Sequence, residues 1–269
     1  MAARKRGLFP ALLKHWRGQR GMSQLDLALA ASVSARHVSF LETGRAEPSR
    51  EMVLRLGATL SVPFRHQNVM LQAAGFDATF EEPDPKSALS QEIRDAIARL
   101  KEHQEPYPLV VMDRLYNTVD LNEAATRLLG LVVADPTQLM REMNTYRAIF
   151  DPELFQPFIV DFERIGPEIL ARLQREALAN PADTELATLV HEIQALPTVD
   201  ESWKEPDLSR VLGPTLVVRL KKGDLEAAFF TMVTMFNAPQ NITLQELRIE
   251  SYFPYDDATR ELCQQLASR

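Results

Sequence analysis

The chain has 269 residues, of which 45% are hydrophobic, and a formal net charge of -7, so composition allows one or two ordinary domains with packed cores. Its one cysteine, Cys263, excludes an internal disulfide and a thiolate metal cluster, and is best interpreted as a small core residue. The basic start is not followed by an apolar run, and no stretch of about 18 uncharged apolar residues occurs. We therefore expect a cytoplasmic protein without a signal peptide or a transmembrane helix.

Charge is divided unevenly along the chain. Residues 1–76 carry 11 Lys and Arg against 4 Asp and Glu, a net charge of +7, whereas residues 77–269 carry a net charge of -14. A basic first part joined to an acidic remainder indicates a polyanion-binding domain attached to a body that does not bind polyanions. Chance drift of surface charge is the alternative, and the charge alone does not decide between them.

Five short helices are predicted within residues 1–76. The first covers residues 8–20, the fifth begins at Pro63 and runs to about residue 74, and the three between them open at N-cap serines: Ser23, Ser34 and Ser49. Asp26, three residues after Ser23, completes a variant of the capping box. Glycines follow the first, third and fifth helices, where a left-handed residue costs little: Gly21, Gly44 and Gly75.

The second and third helices are separated only by residues 31–33. A short helix, a tight turn and a second short helix make up the helix-turn-helix arrangement. Apolar side chains that face inward lock the pair together: Leu27, Ala28, Val33, Val38 and Leu41. The outward face of the third helix then presents a small set of side chains: Ser34, Ala35, Arg36, Ser39 and Phe40.

This first domain resembles the XRE family of lambda-repressor-like helix-turn-helix domains, over about 60 residues between positions 12 and 76. The residues that carry the resemblance occur in the family's order: Ser23, Gln24, Leu27, Ala28, Val33, Ser34, Val38, Ser39, Glu42, Gly44, Arg45, Pro48, Ser49, Leu56, Leu60 and Val62. The resemblance implies an all-α, five-helix domain that binds an operator in double-stranded DNA. Some helix-turn-helix folds mediate only protein contacts, which is the alternative.

The resemblance also implies roles for individual residues. Three would contact phosphates: Gln24, Thr43 and Arg45. Four would lie along base edges in the major groove: Ser34, Ala35, Arg36 and Ser39. Among these four, Arg36 alone has the bidentate fork that suits guanine. Phe40 would either touch a thymine methyl group or pack on its helix neighbours. Arg17 and Glu42 match positions that pair within the domain, so we expect a structural ion pair.

Residues 77–88 are acidic and contain two prolines, which predicts a linker between a domain at 1–76 and a second domain at 89–269. A helix with an apolar stripe is predicted from Ser87 to residue 104, and it needs a partner in this domain or in a second copy. The remaining helices are predicted at 123–129 (opened by Asn122 and closed by Gly130), 137–143, 167–179, 183–196 and 256–267. Strands are predicted at 107–113, 116–121, 215–221, 226–236 and 244–253, with a hairpin turn at 221–224.

Two strands, a helical middle and three strands predict a PAS-like antiparallel sheet with helices on one face, so the whole chain is of the α+β class. The second domain resembles the MmyB-like ligand-binding domain that follows XRE domains in bacterial regulators. The matching residues are Pro108–Asp113, Asn122, Ala124, Ala125, Leu129, Gly130, Asn144, Arg147, Phe150, Pro181, Asp183, Leu186, Leu189 and Val190. The resemblance implies ligand binding and dimerisation, with fatty acids as the known ligands. Residues 212–236 depart from the family pattern, which leaves the identity of the ligand open.

Six residues are candidates for ligand contact. The polar candidates for a carboxylate head group are Asn122, Asn144, Tyr146 and Arg147, and Arg147 would form a charge-assisted pair. The alternative is that Asn122 caps its helix and Arg147 ties down a loop. The strand at 226–236 is rich in Phe and Met, so Phe230 and Met232 are candidates to line an apolar cavity, with ordinary core packing as the alternative.

No glycine-rich phosphate loop, nucleophile elbow or zinc-binding His-Glu-x-x-His pattern occurs, so we expect neither catalysis nor a metal. The leading hypothesis is a bacterial, cytoplasmic, homodimeric transcription regulator that binds an operator on the nucleoid. No cofactor is expected, and a small apolar ligand, such as a fatty acid, would tune that activity. The alternatives are a protein-interaction module whose second domain only dimerises, and an enzyme fused to a DNA-binding domain.

Overall fold

The computed structural model describes residues 7–85, 89–132, 143–180, 183–205, 216–237, 239 and 241–268. They form two compact units. The first comprises Met1–Pro83 with Phe236–Gln245, and the second comprises Asp84–Met235 with Glu246–Arg269. The described part of the first unit is helical, and the second combines an antiparallel sheet with helices, so the α+β class predicted from the sequence is confirmed.

Helices α1 to α5 of the first unit are Leu8–Gln19, Gln24–Ala30, Ala35–Glu42, Arg50–Thr59 and Phe64–Ala73. Their starts follow from side-chain capping, because an N-cap oxygen satisfies a backbone N–H that the helix leaves unpaired. The Ser23 hydroxyl accepts from the Asp26 N–H, and the Asp26 carboxylate accepts from the Ser23 N–H. The hydroxyls of Ser34 and Ser49 cap α3 and α4 by accepting from the backbone N–H groups of His37 and Met52.

The core of the first unit is built from the apolar faces of all five helices. Side chains without exposed surface come from each helix in turn: Leu13, Leu27, Val38, Leu41, Leu56, Met70 and Leu71. Because α2 and α3 both contribute to this core, their mutual orientation depends on the packing of the whole unit.

The first half of the predicted linker packs against α5. The Asn68 side-chain oxygen accepts from the backbone N–H groups of Thr79 (2.9 Å) and Phe80 (3.1 Å). The Phe80 ring stacks on Phe64 with 4.1 Å between ring centroids. Composition predicts a linker here because the segment is acidic and proline-containing, but these contacts order it as part of the first unit.

The segment Phe236–Gln245 also belongs to the first unit, although it lies far along the chain. The Gln245 side-chain oxygen accepts from the N–H of Phe64 at 2.6 Å, where α5 begins. The N–H of Ile242 donates to the carbonyl of Glu81, and the Thr243 hydroxyl donates to the carbonyl of Pro83. Gln245 therefore satisfies an N-terminal N–H of α5 that Pro63 cannot cap through a side chain.

The second unit contains a five-stranded antiparallel sheet in the order β2-β1-β5-β4-β3. Its strands β1 to β5 are Leu109–Met112, Thr118–Leu121, Val217–Lys222, Leu225–Thr234 and Arg248–Pro254. Its helices α6 to α10 are Gln91–Gln104, Glu123–Val132, Thr145–Phe150, Phe162–Ala179 and Thr184–Gln194. Helix α11, Ile242–Glu246, precedes β5, and α12, Asp257–Ala267, packs against α7, β4 and β5. A five-stranded antiparallel sheet with helices is the arrangement predicted for this part of the chain, and β5 lies at the centre of the sheet.

Three predicted boundaries were wrong. Helix α9 was predicted to begin at residue 167, but it begins at Phe162 and contains Pro167. Its buried residues, such as Ile165 and Ile169, lie on both sides of the proline. Helix α7 continues past Gly130, since a glycine within a helix costs about 1 kcal/mol relative to alanine without ending the helix. The strand predicted from residue 244 begins at Arg248, because Asn241 caps α11 by accepting from the Leu244 N–H. Ser87 and residues 137–142 lie outside the described residues.

Gly166 allows α9 to approach the ring of Trp203. A Cβ atom at Gly166 would lie 2.8 Å from Cζ3 of Trp203, which is closer than van der Waals contact allows. Nearby, the Gln174 side-chain amide donates to the carbonyls of Trp203 and Lys204. The helical layer of the second unit therefore depends on a glycine on α9 opposite the indole.

We predict that Gly166→Ala destabilises the protein by about 1–3 kcal/mol, the usual cost of inserting a methyl group into a packed contact. Gly18→Ala is the matched control, because Gly18 is also helical but a Cβ there has no neighbour within 4 Å. It should be neutral or stabilising by up to about 1 kcal/mol. Urea unfolding followed by far-ultraviolet circular dichroism measures both, and equal stabilities for the two variants would contradict the prediction.

Candidate functional site

Helices α2 and α3 form the helix-turn-helix of the first unit. The turn between them is tight because Ser32 adopts a left-handed conformation, with φ of 56°. The Val33 N–H donates to the carbonyl of Ala28 and closes the end of α2. The Ser34 hydroxyl then accepts from the His37 N–H at 3.1 Å and starts α3. Local hydrogen bonds thus satisfy these backbone N–H groups of the turn, and they fix the direction in which α3 leaves α2.

A largely buried ion pair ties α1 to the end of α3. Arg17 donates twice to the Glu42 carboxylate, at 2.6 and 3.0 Å, and the Gln24 side-chain amide donates to the same carboxylate at 2.7 Å. Burial opposes ionisation of Glu42, but the hydrogen bonds from Arg17 and Gln24 outweigh it and lower the pKa of the carboxyl. The pKa of Arg17 is raised by its hydrogen bond to Glu42. The family resemblance implies that Gln24 contacts a DNA phosphate. In the structure its side-chain amide donates to Glu42 and so belongs to an internal network.

The outward face of α3 carries the predicted base-contacting residues. Arg36 is exposed, and its guanidinium carbon lies 5.1 Å from the centroid of the Phe40 ring, within the range of a cation–π contact. Ala35, Ser39 and Phe40 are half-buried, whereas Ser34 is exposed. Beyond α3, Arg45 is exposed and the Thr43 hydroxyl donates to the carbonyl of Ser39 at 2.8 Å. Phe40 thus supports the guanidinium of Arg36, as expected for two residues four positions apart on one helix.

The second unit contains a cavity of about 210 Å³ between the sheet and the helices. Its lining is mainly apolar and comes from both layers. Representative residues are Val110, Val218 and Leu220 of the strands, and Leu128, Ile149 and Ile169 of the helices. A concave apolar space with a few polar groups is the usual form of a small-molecule site.

One polar cluster at the cavity is satisfied within the protein. The Tyr116 hydroxyl donates to the Glu176 carboxylate at 2.6 Å, and Arg248 donates to both oxygens of the same carboxylate. The Arg248 guanidinium also lies over the Tyr116 ring, 4.3 Å from its centroid. Burial raises the pKa of Tyr116 and of its neighbour Tyr146. Burial opposes the charge of Arg248, but its contacts with Glu176 and Tyr116 raise the pKa of the guanidinium.

A second polar group is formed by neighbouring strands of the sheet. The Tyr252 hydroxyl donates to the Glu250 carboxyl at 3.2 Å, and the Thr231 hydroxyl is also hydrogen-bonded to Glu250. All three residues line the cavity. Burial raises the pKa of the Glu250 carboxyl, and it raises the pKa of Tyr252 well above 10. The Glu250 carboxyl in the cavity wall is therefore protonated, and so neutral, more easily than an exposed carboxyl group.

Of the six predicted ligand-contact residues, only Tyr146 lines this cavity. Asn122 is buried in hydrogen bonds to the backbone of Leu109, Ala125 and Tyr107. Asn144 caps α8 by accepting from the Arg147 N–H. Arg147 itself is half-exposed and pairs with Glu192. The asparagines and Arg147 are thus occupied by structural partners.

Phe230 and Met232 lie on the sheet face opposite the cavity. Thr231, between them, lines the cavity, and successive side chains of a strand point to opposite faces. Phe230 stacks on Phe253, which is its partner in the register of β4 and β5. Met232 is 58% exposed. The Phe- and Met-rich composition of β4 does not reveal which face is the inner one.

Sequence reasoning missed six cavity residues that carry polar groups: Tyr116, Thr145, Arg172, Thr231, Glu250 and Tyr252. Arg172 follows Ile169 by three positions on α9, so a charged residue on an apolar helical stripe was the available signal. Glu250 gave no such signal, because its apolar neighbours Ile249 and Phe253 suggest that the other face of β5 is buried. Glu250 is therefore an exception to the usual alternation of apolar and polar residues along a strand, because its carboxyl group lies on the face of β5 that lines the cavity.

A helix-turn-helix unit followed by a second unit that holds an apolar cavity is the arrangement of transcription regulators that have a ligand-binding domain. Comparison with known families agrees: the MmyB-like transcription regulator ligand binding domain matches residues 93–266, and a helix-turn-helix family matches residues 13–66. The chain belongs to the MmyB-like transcription regulators, as its resemblance predicted, and this is a family of regulators rather than of enzymes.

A search of curated proteins found no significant match. One of the similar solved structures is described as an RNA-binding light-oxygen-voltage receptor, at 13% identity with a TM-score of 0.31. The alignment covers 100% of this chain and 66% of that chain. Within the described ranges, no helix is both long and apolar enough to cross a membrane.

The Glu42 pKa leads to a prediction about acid stability. Because the pKa is lowered from its ordinary value of 4.5, the stabilisation is complete above that value and is lost as the pH falls through the lowered pKa. Glu42→Gln should therefore be less stable than the wild type at pH 7, and the difference should shrink below about pH 4.5. Urea unfolding between pH 7 and pH 3 measures this difference. The exposed Glu47→Gln is the control, and a Glu42→Gln difference that stays constant with pH would refute the prediction.

Proposed function

We propose that this protein is a sequence-specific DNA-binding transcription regulator whose activity is tuned by a small apolar ligand, such as a fatty acid or another acyl compound. The observation that carries the proposal is the combination of an ordered, outward-facing α3 in a basic unit with an apolar cavity in the acidic remainder. The protein acts in the bacterial cytoplasm in this proposal, on an operator in double-stranded DNA.

The surface of α3 supports DNA binding. Arg36 is exposed and supported by the Phe40 ring, so its guanidinium is presented in a restricted orientation to the guanine edge. Ser34, Ala35 and Ser39 lie beside it and suit close approach to base edges. The exposed Arg45 and Thr43 suit phosphates beyond α3. Gln24 keeps its side-chain oxygen and its backbone N–H for a phosphate or a bridging water, since its amide serves Glu42.

Dimerisation is the second part of the proposal. One helix-turn-helix unit reads only a few base pairs, and specific regulators of this kind bind two half-sites about one helical turn apart. We therefore propose a homodimer on a near-palindromic operator. Occupancy of the cavity would shift the balance between two dimer geometries that differ in their fit to the operator.

We predict that Arg36→Ala weakens binding to an operator selected from random DNA by about tenfold to a hundredfold, in line with about 1–3 kcal/mol for a bidentate base contact. Binding to random-sequence DNA should change much less, because phosphates dominate that binding. Arg55→Ala is the control, since Arg55 is an exposed arginine of the same unit that pairs with Glu51. Fluorescence anisotropy at several salt concentrations measures all three proteins.

Equal losses on selected and random DNA would show that Arg36 contacts a phosphate and not a base. Binding without a steep salt dependence, or no DNA binding at all, would favour a protein-interaction module.

We predict that native mass spectrometry of the purified protein detects a dimer carrying a small apolar molecule, which denaturing extraction then releases intact. Release of the molecule unchanged after prolonged incubation would also argue against catalysis. A dimer with an empty cavity, which also fails to bind added fatty acids, would contradict the ligand part of the proposal and leave DNA binding standing.

A further inference from the structure

Most polar groups at the cavity already have partners in the protein. Tyr116 and Arg248 both donate to Glu176, and the hydroxyls of Thr231 and Tyr252 are hydrogen-bonded to Glu250. Another lining hydroxyl, that of Thr145, contacts the Met112 sulfur at 3.0 Å. A ligand would have to break one of these contacts in order to hydrogen-bond there.

Arg172 differs from these groups. It lines the same apolar cavity from α9, yet its guanidinium forms no hydrogen bond and no ion pair with any residue in the part of the chain that the structure describes. Its electrostatic neighbour is Glu250, on the opposite wall, which lies beyond ion-pair distance. A guanidinium has five N–H donors and no acceptor, so an unoccupied one beside an apolar surface favours an acceptor from a bound molecule.

The charge balance of the cavity agrees with this. Glu176 and Arg248 neutralise each other, and burial raises the pKa of Glu250, which favours its neutral form. Arg172 thus brings to the cavity a positive charge that forms no ion pair with any residue the structure describes. An amine head group would be repelled, whereas a carboxylate or a carbonyl oxygen would be attracted.

We propose that Arg172 binds the polar end of the ligand, and that the ligand is an acyl compound of short or medium chain length whose carboxylate or carbonyl oxygen accepts hydrogen bonds from the guanidinium. This rests on the proposed function, because it takes the cavity to be the ligand site. Arg172 then determines specificity by selecting an acceptor head group and rejecting a cationic one.

The chain length follows from the volume. The cavity of about 210 Å³ is smaller than the usual range of about 300–1,000 Å³ for drug-sized ligands. An apolar cavity of about 150 Å³ holds benzene, so this one suits roughly eight to ten non-hydrogen atoms. Octanoic acid, with an eight-carbon chain, is the matching probe.

The test compares three eight-carbon probes that differ only in their polar end: octanoate, octanamide and octylamine. Isothermal titration calorimetry of the full chain, after removal of co-purified lipid, should show binding of octanoate and octanamide. Octylamine should bind at least about tenfold more weakly, because a cation next to the guanidinium loses the charge-assisted contact. The ratio of octanoate to octanamide affinity separates a carboxylate ligand from a neutral acyl one.

Arg172→Met should weaken octanoate binding by about tenfold to a hundredfold, which is the scale of a hydrogen bond to a charged group. Arg172→Lys keeps the charge and should retain the preference for octanoate over octylamine. Arg164→Met is the control, because Arg164 is an exposed arginine of the same helix that does not line the cavity. Circular dichroism and thermal unfolding establish that each variant is folded.

Two failures are distinguishable. If the wild type binds acyl probes but Arg172→Met and Arg172→Lys bind them with unchanged affinity and selectivity, the role of Arg172 is refuted while the ligand site stands. If the wild type binds no acid from six to twelve carbons, the acyl class is refuted and the ligand part of the proposed function fails with it.

Discussion

The ion pair between Glu176 and Arg248 is the contact on which the second unit depends. It joins α9 to β5, the central strand of the sheet, and Tyr116 adds a hydrogen bond from the connection between β1 and β2. Two layers are thus linked through long polar side chains as well as through apolar packing. Removing one partner of such a pair leaves a partly buried charge without its counterion, which destabilises the fold. The cavity lies between the layers that this pair connects.

The same physical rule governs the first unit. Arg17, Gln24 and Glu42 form a shared hydrogen-bonded network that joins three helices, and α3 is positioned as a result. In both units a buried acidic residue organises its neighbours, because an ionised carboxylate must be matched by donors wherever water is excluded. Arg36 in one unit and Arg172 in the other take no part in these networks, and they are the residues proposed to meet DNA and ligand.

Several residues that were predicted to contact the ligand have a structural role instead, and the reason is the same for each. Asn122, Asn144 and Arg147 have the chemistry of ligand contacts, but a side chain can be used only once, and local backbone groups or Glu192 already occupy them. Arg172 has the same chemistry as Arg147 and lies in the cavity instead. Composition identifies which side chains are able to bind a carboxylate, whereas burial and partner geometry decide which of them is free to do so.

The sequence by itself determined the local structure: the serine caps, the glycine stops and the helical spacing predict the five helices of the first unit. The succession of strands and helices, together with the family resemblance, predicts an antiparallel sheet, whereas the order of the strands within the sheet came from the structure. The sequence did not determine the faces of β4 and β5 or the course of α9 through Pro167. Those depend on which apolar surfaces meet across the sheet. Cavity geometry is likewise tertiary, because Arg172, Thr231 and Glu250 are distant in sequence and converge only when helix and sheet pack. Capping is an interaction between residues that are close in the sequence, so it can be predicted from the sequence directly. The convergence of the cavity residues results from many long-range contacts at once.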